Sequence, residues 1–442
     1  MAAAVLGLCG LAALVGPGGA AAGTDNVIET VNQTSDEPDA NTADNTCDTD
    51  LGTGGAQCTL RAAIQQANAY AGTDADLIRF NIPGDGVHRI APDAPLPGIT
   101  GETEIDGYSQ PGASVNTRKL RQGDNAKLLI ELSGENLDPF SDNGLMFVAG
   151  SSDSQVKGLC INRFATGIVL QNPARVAGNF IGTDPTGTKD RGNLGDGVFA
   201  SSSIHPSARI IGGSTPEARN VISANGRSAI ISNIAATVQG NYIGTASDGR
   251  SPLGNRGESM TEATAAVELA SDTIGNTVGG PGDAANVIAF NEHKGVSVYN
   301  PNTVAYVTRN RIHSNGGLAI DLGDDGRTPN DADDADPGPN RLLNFPVLKR
   351  ATSHAGHTRI AGVLKTFPTT APYGIEFFAN PQGGRQAKRF IGTVLVETNG
   401  NGKADFNFKA RPTGPGATIT ATTNDDGGAT SELSATIEVE AP

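Results

Sequence analysis

"GNFIGTDPTGTKDRGNLG" (Gly178–Gly195) and "GNYIGTASDGRSPLGNRG" (Gly240–Gly257) are one glycine-broken phrase written twice, 62 residues apart. Around them the pattern Asn-x-Ile returns at Asn179, Asn220, Asn241, Asn286 and Asn310, in steps of 41, 21, 45 and 24 residues. The short steps have the length of one coil of a solenoid. The long steps equal a coil plus about twenty residues, and both begin with the quoted phrase. The phrase therefore reads as an insertion carried by alternate coils.

Inside one short step, "NVIAFN", "KGVSVY" and "NTVAYVTRN" read as three short strands divided by turns, the grammar of a parallel β-helix. Matching strands are "GIVL" (167–170), "GVFA" (197–200), "AIIS" (229–232), "AVEL" (266–269) and "GVSV" (295–298). A single coil cannot bury its inward aliphatics. Neighbours stacked ~4.8 Å apart can, by setting Ile on Ile and Val on Val. The reading demands that Ile181, Ile222, Ile243 and Ile288 form one internal file. Asn225, Asn291 and Asn315 recur just after the Asn-x-Ile starts. They read as a polar binding stripe or as a turn ladder. The ladder is preferred, because Asn tolerates left-handed backbone and bonds its neighbours.

Composition agrees with many short strands and tight turns. The 442 residues include 58 Gly and no Trp, and aromatics are 5%. The net charge of −15 argues against a nucleic-acid partner. No segment beyond the N-terminus approaches the ~20 apolar residues of a membrane span. Residues 1–22 are an apolar run ending in small residues and read as a secretory signal, although a basic start is missing. Export would let Cys47 and Cys58 pair across their Gly/Asp-rich loop. Cys160, in "GLCINRF", reads as a small buried hydrophobe.

The remaining segments follow. Residues 23–46 are polar and read as a flexible leader. Residues 47–100 form an N-terminal cap. There, Leu60, Ala63, Ile64 and Ala67 share one helical face, Gly72 can stop the helix, and "DLIRFNIPG" follows as a strand. Such a cap covers the open strand edges at a solenoid's end. Residues 101–349 are the β-helix. Residues 350–442 hold six alternating segments, from "TRIAGVLKTF" to "ATSELSATIEV", and read as an immunoglobulin-like sandwich. The expected fold is all-β: a right-handed parallel β-helix with a helical N-terminal cap and a C-terminal immunoglobulin-like β-sandwich.

The segments Cys58–Ile64 ("CTLRAAI"), Ile105–Ala113 ("IDGYSQPGA"), "GNFIGTDPTG", "ARNVISANG" and "LAIDLGDDGRTPNDADDADPGPNRLLNFPVL" together resemble secreted, mostly bacterial, right-handed β-helix repeat proteins with an N-terminal CSLREA-type segment. The resemblance covers nearly everything from Cys47 onward. Ala62 departs from it, since the family has glutamate there. It implies a secreted or surface location and no single activity.

Candidate chemistry sits in three places. Asp321, Asp324, Asp325, Asp331, Asp333, Asp334 and Asp336 crowd one loop and read as ligands for Ca2+, or as a solvated acidic linker. Asp184, Asp190 and Asp248 in the insertions, with Asp196 beside them, are candidate ligand-binding residues. They would belong to a groove for a polysaccharide or extracellular surface component. The late coils offer His293, Lys294, Arg309, Arg311 and His313 as basic residues a lyase could use, and His313 is a further candidate ligand-binding residue. No catalytic residue is assigned. The leading reading is a non-catalytic binding face. The alternative is a polysaccharide lyase or glycoside hydrolase, the latter needing two carboxyl groups about 5–9 Å apart.

Overall fold

A computed structural model describes residues 28–70, 75–201, 209–257 and 265–442. The segment read as a signal, 1–22, lies outside the described residues. From Ile28 the chain winds as a right-handed parallel β-helix whose coils lay strands on three sheets, here A, B and C. Among the described residues sheet A has nine strands, sheet B eight and sheet C seven. The inward file on sheet B is the one the sequence demands. Ile161, Ile181, Ile222, Ile243, Ile288 and Ile312 are register partners in succession, and all are buried.

The asparagines form two ladders. Along the first, the side-chain amides of Asn220, Asn241 and Asn286 each donate to the next Asn Oδ1 at 2.9, 3.1 and 3.0 Å. Along the second, Asn193, Asn225, Asn255 and Asn291 donate onward to Asn315 in steps of 2.8–2.9 Å. Asn193 and Asn255 close the two insertions and return the chain to the stack. The backbone role differs from expectation. The left-handed residue is the one before Asn225, Asn291 and Asn315: Ala224, Phe290 and Ser314 have φ of 64, 64 and 59°. The amide, once aimed by that turn, does the bonding. Where an insertion leaves, the left-handed residue is instead Gly182 or Gly244, with φ of +89 and +82°. A Cβ on either would meet a carbonyl of the next coil at 2.2 Å, which is why both copies of the phrase carry glycine there.

The N-terminal end is closed by the helix Leu60–Ala69, whose N-cap Thr59 accepts from Ala62 N–H at 3.0 Å. Leu60, Ala63, Ile64 and Ala67 enter the solenoid core. Ala62 is also buried there. Arg61 clamps the leader: Nη2 and Nε reach Asp36 Oδ2 and Oδ1 at 2.7 and 3.0 Å. Part of the stretch read as leader, Ile28–Val31, forms the first strand of sheet A, parallel to Asp76–Phe80. Cys47 and Cys58 are disulfide-bonded beneath it.

The C-terminal domain is a seven-stranded sandwich. One layer holds Val347–His354, His357–Lys365 and Lys403–Ala410; the other holds Tyr373–Asn380, Arg389–Val396 and Thr418–Asn424. Ile437–Glu440 joins both, parallel to the first strand and antiparallel to Thr418–Asn424. Its core includes Ile360, Phe377, Phe406 and Ile419. The segment "ATSELSATIEV" is strand only from Ile437. Its first half crosses the end of the solenoid instead, accepting from Val307 N–H through Thr430 Oγ1 and from Leu322 N–H through Glu432 Oε1. No helix among the described residues is long and apolar enough to cross a membrane.

Candidate functional site

The insertions leave sheet B and close as hairpins, bridged at Thr183–Asp190 and Thr245–Pro252. They emerge on one flank and touch: Ser247 N–H donates to Gly187 O at 2.8 Å, and Arg256 pairs with Asp190 at 2.5 Å. Asp184 accepts from the N–H groups of Thr188 and Lys189 at 3.0 Å each. Asp248 accepts from those of Arg250 and Ser251 at 2.8 Å each. These carboxylates hold their own turns, a common use of Asp in loops. Asp184, Asp190 and Asp248 form no three-carboxylate cluster among the described residues.

Beneath the insertions the outward side of sheet B is roofed. Cys160, Phe180, Val221, Tyr242 and Val287 pack against Leu120 and Leu128. Wholly buried Arg219 pins the roof, donating to Arg118 O at 2.8 Å and to Gly123 O at 3.2 Å, with its guanidinium 4.7 Å above the Tyr242 ring. Cys160 is free and buried, and burial pushes its thiol well up, so it packs as the small hydrophobe expected.

Sheet C changes character along its outward file. Val169, Phe199 and Ile231 give way in register to Glu268, Ser297 and Asp321. Glu268 is buried and accepts from Ser228 Oγ at 3.2 Å, while Ser228 N–H donates to Asp196 Oδ1 at 3.0 Å. One serine thus links two carboxyl groups from successive coils. Burial pushes Glu268 up to about 7, and Asp196 and Asp324 add to the rise. Burial also raises Asp196, against Arg227 at 3.8 Å. Beside them Lys294 Nζ lies 3.0 Å from buried Asp321 and 2.5 Å from Asp324, which also accepts from Ser297 Oγ at 2.9 Å. Sequence reading singled out Asp196 and missed Glu268. The signal was in "AVEL", where a lone acid stands at an outward position between two inward aliphatics.

The seven loop aspartates do not act as one set. Asp321 and Asp324 turn to Lys294, while Asp325 and Asp333 are exposed and join no cluster. Asp331, Asp334 and Asp336 each bring one carboxylate oxygen within 4.8 Å of the others. Asp334 is fully buried and accepts from Asn344 N–H at 3.0 Å and from Thr366 Oγ1. Burial pushes it up to about 6, and its two acidic neighbours add to that. Three oxygens so placed are able to hold a divalent cation.

The late basic residues are dispersed. Arg309 pairs with Glu376 at 3.6 Å, and His313 stands edge-on to Phe290 with ring centroids 5.7 Å apart. Burial, then Lys388 and Arg311, hold His313 down to about 4, so it is neutral at pH 7. Sheet A is the open face. Its outward positions Gln155, Arg175, Ile210, Thr237, Thr277 and Tyr306 follow in register, and each is half-buried or exposed. No protein-family model and no curated protein sequence matches the chain.

Proposed function

We propose that this chain is a secreted or cell-surface β-helix protein that binds an extended polar polymer, a glycan or matrix component, along sheet A and does no chemistry on it. The observation that carries this is the contrast between faces. Sheet B is roofed by apolar packing, whereas the outward file of sheet A, through Glu104, Gln155, Arg175, Thr237, Thr277 and Tyr306 with Ile28, Leu77 and Ile210 among them, stays uncovered over about 38 Å at the usual strand spacing. An open, mainly polar face with scattered aliphatics suits shallow contact with a repeating chain. The absence of Trp from the sequence fits contact without deep ring stacking. The test is retention on an immobilised glycan panel. Arg175→Glu with Thr237→Glu should abolish retention while leaving the thermal midpoint unchanged. Equal retention by the variant, or release of sugar product by the wild type, would overturn the reading.

Export is supported by the 1–22 segment, by the resemblance to CSLREA-type proteins, and by the Cys47–Cys58 disulfide, which persists in oxidising compartments. Recovery of the chain in the cell fraction with both thiols reduced would count against it. Asp331, Asp334 and Asp336 are proposed as a Ca2+ site that braces the loop between solenoid and sandwich. Chelation should then lower the thermal midpoint, and an unchanged midpoint would remove the ion from the account.

A second reading rests on Glu268 and Asp196. A carboxyl held near 7 beside another on an outward sheet position has the protonation a glycoside hydrolase needs in its acid. Reducing-end release from a polysaccharide, lost in Glu268→Gln, would establish it over the binding face.

A further inference from the structure

The sandwich and the last coil flank a half-open pocket of about 720 Å³, a volume suited to a small ligand. Its walls are fixed from both sides. Ile312 and Ala387 exchange backbone hydrogen bonds at 3.0 and 2.7 Å across the seam. The Gln386 amide donates to Asn315 O and Gly317 O at 3.0 and 2.6 Å and accepts from Asn315 N–H at 3.2 Å. Such a site is formed before any ligand arrives.

Charge marks the cavity out. The chain carries −15 overall, yet three cations, Arg327, Arg385 and Lys388, line this space. None of the three forms an ion pair among the described residues. Arg327 is steadied by the Phe345 ring 4.3 Å away. The acid on the wall, Glu432, is committed elsewhere: it accepts from the N–H groups of Leu322 and Thr328 at 3.0 Å each. Burial pushes its carboxyl up to about 7, against Arg327, so at pH 7 it carries about half a charge against the three cations. Leu318 and Leu433 add apolar lining, and the amides of Asn315 and Asn380, each already hydrogen-bonded within the fold, add polar lining.

We propose that this seam binds a small polar molecule bearing an anionic group, of the size and character of a sugar acid, with the anion between Arg385 and Lys388 and the organic body against Leu318 and Leu433. Guanidinium and ammonium donors take anions by charge-assisted hydrogen bonds. The polar and apolar lining would then hold a hydroxylated body. The site is separate from sheet A, so the two proposals stand or fall independently.

Titration calorimetry on the full chain tests this with three probes: glucuronate, glucose and inorganic phosphate. Glucuronate should bind, glucose at least about tenfold more weakly, and phosphate should compete with glucuronate. Lys388→Gln and Arg385→Gln should each weaken glucuronate about tenfold. Neither side chain is tied into the fold by an ion pair, so an unchanged thermal midpoint is expected for both. Arg175→Glu on sheet A should leave glucuronate binding intact. The proposal is overturned if neither glucuronate nor phosphate binds at millimolar concentration, if glucose binds as well as glucuronate, or if both cavity variants bind glucuronate like the wild type.

Discussion

A single asparagine shows what holds the coils in register. Asn241 donates to Asn286 Oδ1 at 3.1 Å and to Ile211 O at 2.9 Å, and accepts from the Asn220 amide at 2.9 Å. It is fully buried, so its loss leaves dry polar groups on two neighbouring coils. Asn241→Leu is expected to cost about 1–3 kcal/mol for each group left unpaired, read as a lowered denaturant midpoint. Exposed Asn233 is the control, and Asn233→Leu should change little. Gly244 is a second sensitive position. Its φ of +82° and the 2.2 Å approach of Ala289 O leave no room for a methyl group. Gly244→Ala should destabilise by about 1–3 kcal/mol or more; equal unfolding midpoints would show that the turn relaxes.

At the scale of elements, the two ends of the solenoid carry the risk, because each would expose unpaired strand edges. The N-terminal helix and the disulfide secure one end. An 11-residue separation between Cys47 and Cys58 gives about 3 kcal/mol of loop-closure stabilisation, so reduction should lower unfolding stability by up to that amount. The sandwich secures the other end on all three sheets. Val307 N–H donates to Thr430 Oγ1 at 2.9 Å, Ile312 pairs with Ala387, and Leu322 N–H donates to Glu432 Oε1 at 3.0 Å. Phe378, Ala387 and Leu433 complete the solenoid's own core. Ala387→Pro removes the N–H that donates to Ile312 O at 2.7 Å. It should raise proteolysis of the last coil and lower the midpoint, and a protease pattern like that of the wild type would deny the sandwich its capping role.

Across the whole molecule, buried carboxyls set the response to pH. Glu29, Glu268 and Glu432 are pushed up to about 7, and Asp124 and Asp334 to about 6, each chiefly by burial. A carboxyl whose folded pKa exceeds its unfolded value favours the fold below the ordinary carboxylate range. That contribution is lost as pH rises through 6 to 7. His313, held down to about 4 by burial, acts oppositely, and its contribution is lost as pH falls below about 6.5. Five carboxyls outweigh one imidazole, so the thermal midpoint should be higher at pH 5.5 than at pH 8. Glu268→Gln should shrink the difference; a midpoint that rises from pH 5.5 to 8 would contradict the assignment of these groups as buried acids.

The amino-acid sequence by itself determined the coil length, the inward file from Ile181 to Ile288, the ladder positions Asn225, Asn291 and Asn315, and the Cys47–Cys58 pair. Stacking at a constant spacing turns each of these into a periodic or short-range signal, which one chain displays without its neighbours. Only the tertiary structure decided what the outward side chains do. It set Asp184 and Asp248 to hold turns, divided the loop aspartates between Lys294 and one another, joined Asp196 to Glu268 through Ser228, and laid the sandwich over the last coil. Those contacts join residues as far apart as Val307 and Thr430, 123 positions along the chain. They depend on loop lengths and on how two folded units meet, and neither leaves a period in the sequence.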